Sequence, residues 1–177
     1  REKAKSWLRN ILIMIILIQA SFLIYQLVID LSSVMTSAVL SLIEENFFLI
    51  TPDNLGELGL SLVFTLLYLI SLLISTIILI IRYAFVSVGV VLFPIAIFFY
   101  FLPPLKSYGS FILNILGISI FVTFFDAVLL IGFSKLVSLE IFSNLKILVL
   151  ISAFLFISLL MVFLMFFSIV KAALSIF

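Results

Sequence analysis

The chain has 177 residues; 67% are hydrophobic, 10% are charged, and Phe alone occurs 21 times. Nine Lys and Arg against eight Asp and Glu leave a formal charge of +1, too little for a global field that recruits nucleic acid or an acidic partner. A soluble domain of this size cannot hide so much apolar surface, and with a mean hydropathy of +1.58 a water-soluble enzyme gives way to an all-α integral membrane protein.

A helix needs about 20 apolar residues to cross the hydrocarbon layer. Lipid offers no partner for free backbone N–H and C=O groups, so apolar runs of that length are expected to be helical. The first covers about 10–30, behind the basic segment REKAKSWLR and up to Asp30. It is too long for a signal peptide and no small-residue cleavage site closes it, so it is expected to stay as a span.

Beyond Asp30, apolar residues fall at Leu31, Val34, Met35, Ala38, Val39, Leu42 and Ile43, with Ser32, Ser33, Thr36, Ser37 and Ser41 on the other side. Residues 31–46 thus predict an amphipathic helix that either lies on the membrane surface or extends the first span. Gln19, Gln26 and Ser33 form a seven-residue series that supports the extension.

The segment TPDNLGELG, Thr51 to Gly59, reads as a loop. The apolar block behind it is too long for one span. Arg82 divides it into spans over about 60–81 and 83–102, joined by a tight turn around Arg82. Pro94 is expected to kink the second of these by removing a hydrogen bond to the Val90 carbonyl. Pro103 and Pro104 end it. Two more spans cover about 110–133, interrupted by Asn114, Gly117 and Asp126, and about 147–170, with a short polar connection over 134–146 between them. The expectation is five spans in a single helical membrane domain over 1–177.

Orientation follows the Lys/Arg bias of short loops. With the N-terminus inside, Arg1, Lys3, Lys5, Arg9, Arg82, Lys135 and Lys146 are cytoplasmic and Lys106 and Lys171 lie outside, seven against two. This predicts a multi-pass protein of the cell membrane with its N-terminus cytoplasmic, its C-terminus outside, and the acidic stretch from Asp30 to Gly59 outside. Trp7 and Tyr108 then fall at opposite interfaces, with Tyr83 on the Trp7 side.

Asp126 is the sharpest single feature. A carboxyl that far inside a span costs roughly 2.5–3.5 kcal/mol on insertion scales, which makes it a candidate functional group. The alternative is an anchor in which Asp126 pairs with Arg82 or Lys135, or is protonated, and fixes helix packing. Ser61/Thr65, Ser71/Ser75 and Ser168/Ala172 are small pairs at i,i+4 that read as packing seams, and Asn114 with Gly117 reads as an interhelical clamp. The sequence has no Cys and no His, which leaves disulfides, thiol nucleophiles, zinc sites and imidazole bases without their residues. No Gly-rich phosphate loop and no productive carboxylate pair is present either. No cofactor and no metal is expected, the chain is not expected to be an enzyme, and any ATP-derived energy has to come from a partner.

The stretch from Arg82 to Val137 resembles the central region of polytopic membrane subunits of type IV secretion and conjugation machines, the TrbL-like proteins and the CedA-like archaeal DNA-import proteins. The shared outline is an Arg opening a span (Arg82), a mid-span Phe93-Pro94-Ile95, and a Pro-rich turn with a basic residue (Pro103, Pro104, Lys106), followed by a long apolar helix. Tyr108 stands near the place where bacterial members carry a Trp, and the cytoplasmic N-terminus fits the archaeal branch better. The resemblance implies a multi-copy membrane channel or scaffold subunit, embedded in lipid with other membrane subunits, that helps carry single-stranded DNA with a separate ATPase. Two other classes stay open: a small-solute or ion transporter centred on Asp126, and a non-conducting scaffold that docks partners on 31–46.

Overall fold

The structure is a computed structural model that describes residues 2–49, 58–143 and 145–176. Among these residues every element is helical, as the composition predicts. The α-helices are α1 (Glu2–Leu40), α2 (Leu58–Phe101), α3 (Lys106–Val137), α4 (Glu140–Ser143) and α5 (Lys146–Ile176), with 3-10 turns at Glu45–Phe48 and Pro103–Leu105. Among the described residues four stretches are long and apolar enough to cross a membrane: Trp7–Leu40, Leu62–Phe101, Pro103–Val137 and Lys146–Phe167. The protein is a helical membrane protein, with four such helices among the described residues where five were expected.

The difference lies at Arg82. The two spans expected over 60–81 and 83–102 are one helix, α2, of 44 residues with no turn at Arg82. Its contour length is about 66 Å, twice the hydrocarbon thickness. Leu, Ile and Arg are all good helix formers, and nothing between Ile81 and Tyr83 breaks the backbone ladder. Pro94 also lies inside α2, which continues through it. The helix stops only at Leu102, whose extended ψ of 115° is the conformation a residue before Pro prefers. Pro103 and Pro104 then start a 3-10 turn that hands over to α3 at Lys106.

Residues 31–40 extend the first span, so the amphipathic segment is not a separate surface helix. The helix gives out where Ser41, Leu42 and Ile43 N–H groups bond Ser37, Val39 and Leu40 carbonyls in a tightening last turn. The side that carries Ser32 is not uniformly outward. Ser32 is buried, whereas Leu31 and Val34 are exposed. That inversion suits a helix whose surroundings are hydrocarbon and whose polar groups find partners inside. Of the loop expected over Thr51 to Gly59, Leu58 and Gly59 already belong to α2, and the rest, with the side chains of Ser61, Ser168 and Ala172, lies outside the described residues. The connection over 134–146 is largely helical, split between the end of α3 and the short α4.

The chain forms two compact units. One comprises 1–32, 82–121 and 164–177; the other comprises 33–81 and 122–163. In the first, Tyr25, Leu116 and Ile120 form the buried core, with Val86, Phe93 and Ile112 packed against it. Two glycines let helices close in. A Cβ on Gly89 would collide with the Tyr25 hydroxyl and stand 2.7 Å from a Leu116 methyl, and one on Gly109 would stand 2.6 Å from the Ala96 carbonyl oxygen.

In the second unit Leu150, Ala153, Ala127 and Met161 are almost wholly buried. Its end is tied by charged side chains. Lys135 Nζ lies 3.2 Å from Glu44 Oε1, and Lys146 Nζ donates to the carbonyls of Asn46 and Leu49, both at 2.6 Å. These contacts bring Lys135, near the end of α3, and Lys146, at the start of α5, against the segment 44–49 that follows α1, whereas the charge count set both lysines on the side opposite the acidic stretch.

Candidate functional site

The first unit contains a polar knot around Arg82. Its Nε donates to the Ser119 carbonyl at 2.6 Å and its Nη2 to the Ile120 carbonyl at 3.0 Å. The Ser32 hydroxyl donates to the same Ile120 oxygen at 2.8 Å. One residue each from α1 and α2 thus converges on two successive carbonyls of α3. A guanidinium has its donors in a planar fork, so neighbouring carbonyls can be met together. One turn from Arg82, the Tyr25 hydroxyl donates to the Val86 carbonyl at 2.6 Å, in the space that Gly89 leaves open. The tight turn once expected at Arg82 is therefore replaced by a lateral tie: an arginine inside a long apolar helix whose donors go to the backbone of a neighbour.

Asp126 belongs to the second unit and is 6% exposed. It borders a cavity of about 200 Å³ walled by α1, α2, α3 and α5. Thr36, Ser75 and Thr123 line it with Asp126, and Ala127, Ile157 and Met161 supply much of its apolar wall. Ser75 is fixed in place: its hydroxyl lies 2.8 Å from that of Ser158, and the two lie 3.1 and 2.8 Å from the Phe154 carbonyl. Tyr68 packs edge-on to the Phe154 ring with centroids 5.9 Å apart. The surface of the cavity itself is apolar and the Asp126 oxygens are covered, so the carboxyl borders the void from within the helix packing. Among the described residues no three His, Cys, Asp or Glu gather as metal ligands would.

The other expected residues divide. Ser75 does sit at a helix seam, joining α2 to α5. Ser71 is buried at 2% and turns its hydroxyl back to the Tyr68 carbonyl of its own helix, at 2.8 Å. Asn114 does not clamp a neighbouring helix, since its side chain is exposed, and a Cβ on Gly117 would meet open space. That face of α3 looks away from the packed helices. Lys106 is exposed and places Nζ 5.5 Å from the centre of the Tyr100 ring, bracing the Pro103-Pro104 turn. Lys135, one of the two partners expected for Asp126, pairs with Glu44. Arg82 belongs to the first unit and Asp126 to the second.

Ser32, Ser158 and the Tyr25–Gly89 contact were not singled out from the sequence. Ser32 and Tyr25 are seven residues apart and so share a helix face, which is the one signal that pointed to them. Comparison with protein families, with curated proteins and with solved structures finds no match for this chain.

Proposed function

We propose that the chain is a non-catalytic membrane subunit that works in several copies, and that its task is DNA transfer, with single-stranded DNA moved by a separate ATPase in an apparatus of the archaeal import type. The observation that carries the subunit reading is how its polar groups are used. Arg82, Ser32, Ser75 and Ser158 join helix to helix inside, while Leu, Ile, Val and Phe predominate on the outward faces of the long helices. Such a surface associates with acyl chains and with other membrane helices.

Support for DNA transfer is the resemblance over 82–137, in which Pro94, Pro103, Pro104 and Lys106 keep their expected setting as an in-helix proline and a basic Pro-rich turn. Arg82 departs from it by not opening a span. The cell membrane is the proposed location, with both ends of the chain cytoplasmic. Four crossings put Arg1, Lys3, Lys5, Arg9, Lys106 and Lys171 inside and Lys135 and Lys146 outside, six against two, with Arg82 within the layer. Deleting the gene should abolish DNA transfer while growth and hydrolysis by the partner ATPase persist. Retained transfer would reject the reading, as would extraction in lipid nanodiscs that yields single copies.

The Asp126 cavity favours a second reading, a small-solute or ion transporter. It predicts pH-dependent uptake by proteoliposomes holding this chain alone, lost in Asp126→Asn while the variant still folds and inserts.

A further inference from the structure

Along α1, Gln19, Gln26, Asp30, Ser33 and Ser37 all lie within about 40° of one line down the helix, at 100° per residue. All five are exposed. The packed face of the same helix is opposite: Ser21, Tyr25 and Ser32 are buried and lie about 200–240° round from Gln19. Asp30, Ser33 and Ser37 follow the apolar run of about 10–30. Gln19 and Gln26 do not. They fall inside the run of about 10–30 and are flanked by exposed Phe22, Leu23 and Leu27, so their amides face hydrocarbon in a lone chain. An amide there needs a hydrogen-bond partner from another helix.

We propose that this seam is where a second copy of the chain docks, α1 against α1. Three observations select a second copy over another occupant. A glutamine amide carries both donor and acceptor, so the same residue on another copy satisfies it completely. Copies of one membrane chain share an orientation, which puts Gln19 level with Gln19 and Gln26 with Gln26. The spacing of seven is that of the seam two parallel helices share when they coil left-handed, and a polar residue there fixes register. The charged and hydroxyl residues that continue the line, Asp30 to Ser37, then extend the same contact toward the end of α1.

This inference deepens the multi-copy reading and rests on it. Because the chain has no Cys, single-cysteine variants report contacts without background. Oxidation in native membranes should link Gln19→Cys and Gln26→Cys into disulfide dimers and leave the equally outward Leu27→Cys and Leu31→Cys unlinked. The double variant Gln19→Leu/Gln26→Leu should lose the dimer in mild detergent while the monomer keeps its full helix content, because both residues point away from the core; Gln→Asn at each position should restore part of the dimer. Linking as strong at Leu27 and Leu31 as at the glutamines overturns the seam. A stable oligomer that links at neither glutamine overturns the seam and leaves the multi-copy reading standing, whereas a monomer overturns both.

Discussion

Arg82 and Ser32 meet on a single atom, the carbonyl oxygen of Ile120, which accepts from Nη2 at 3.0 Å and from the hydroxyl at 2.8 Å. Three helices are thereby joined at one point in the first unit. Because Nε takes the preceding carbonyl of Ser119 at 2.6 Å, the guanidinium is held by its fork and not by charge alone.

Arg82→Met should therefore destabilise the protein in detergent by about 1–2 kcal/mol, the range of hydrogen bonds between helices in lipid. Arg82→Lys should recover little, since a single ammonium cannot span both carbonyls. Ser32→Ala should cost less, about 0.6 kcal/mol. Thermal unfolding of the three variants in one detergent checks the order; a lysine variant as stable as the parent would show that charge is what matters.

Gly89→Ala should cost about 1–3 kcal/mol through overpacking, because the new methyl meets the Tyr25 hydroxyl and displaces it from the Val86 carbonyl. In a Tyr25→Phe background the same substitution should cost less, as the nearest clashing atom is gone. A double-mutant cycle measures the difference. Equal costs in both backgrounds would contradict the contact.

Ser75→Ala and Ser158→Ala should each lower stability by about 0.6 kcal/mol, and the pair together by less than the sum, because both lose the same 2.8 Å hydrogen bond. Ser71→Ala should be nearly neutral. Its hydroxyl bonds only the Tyr68 carbonyl of its own helix, which the backbone ladder already uses.

Helical class, membrane setting, the Pro103-Pro104 turn and the small-residue seam at Ser75 could all be read from composition and local pattern, since each depends on residues close in sequence. Arg82 could not. An arginine between two apolar runs is equally consistent with a hairpin turn and with a long helix. What selects the helix is a pair of carbonyls 37 and 38 residues further on, which no local spacing reveals. The reading at Arg82 also sets the faces expected for Lys135 and Lys146, because each crossing counted moves every later loop to the other side. Asn114 and Gly117 misled for a different reason: small and amide residues serve a seam only if a neighbour stands beside them, and periodicity does not say which face has the neighbour. The same reasoning runs in reverse for Gln19 and Gln26, whose seven-residue spacing was visible but whose outward direction was not.

The central claim is that α2 crosses once, with Arg82 and Tyr83 inside the layer. Cysteine accessibility tests it most directly, with a membrane-impermeant maleimide applied to intact cells for the outer face and to inside-out vesicles for the cytoplasmic face. Tyr83→Cys, although its side chain is 70% exposed, should stay unlabelled from either side. Lys106→Cys should react only from the cytoplasmic side, and Ser138→Cys only from the other. Labelling of Tyr83→Cys from the cytoplasmic side, with Lys106→Cys reacting from outside, would restore a hairpin at Arg82 and contradict the account.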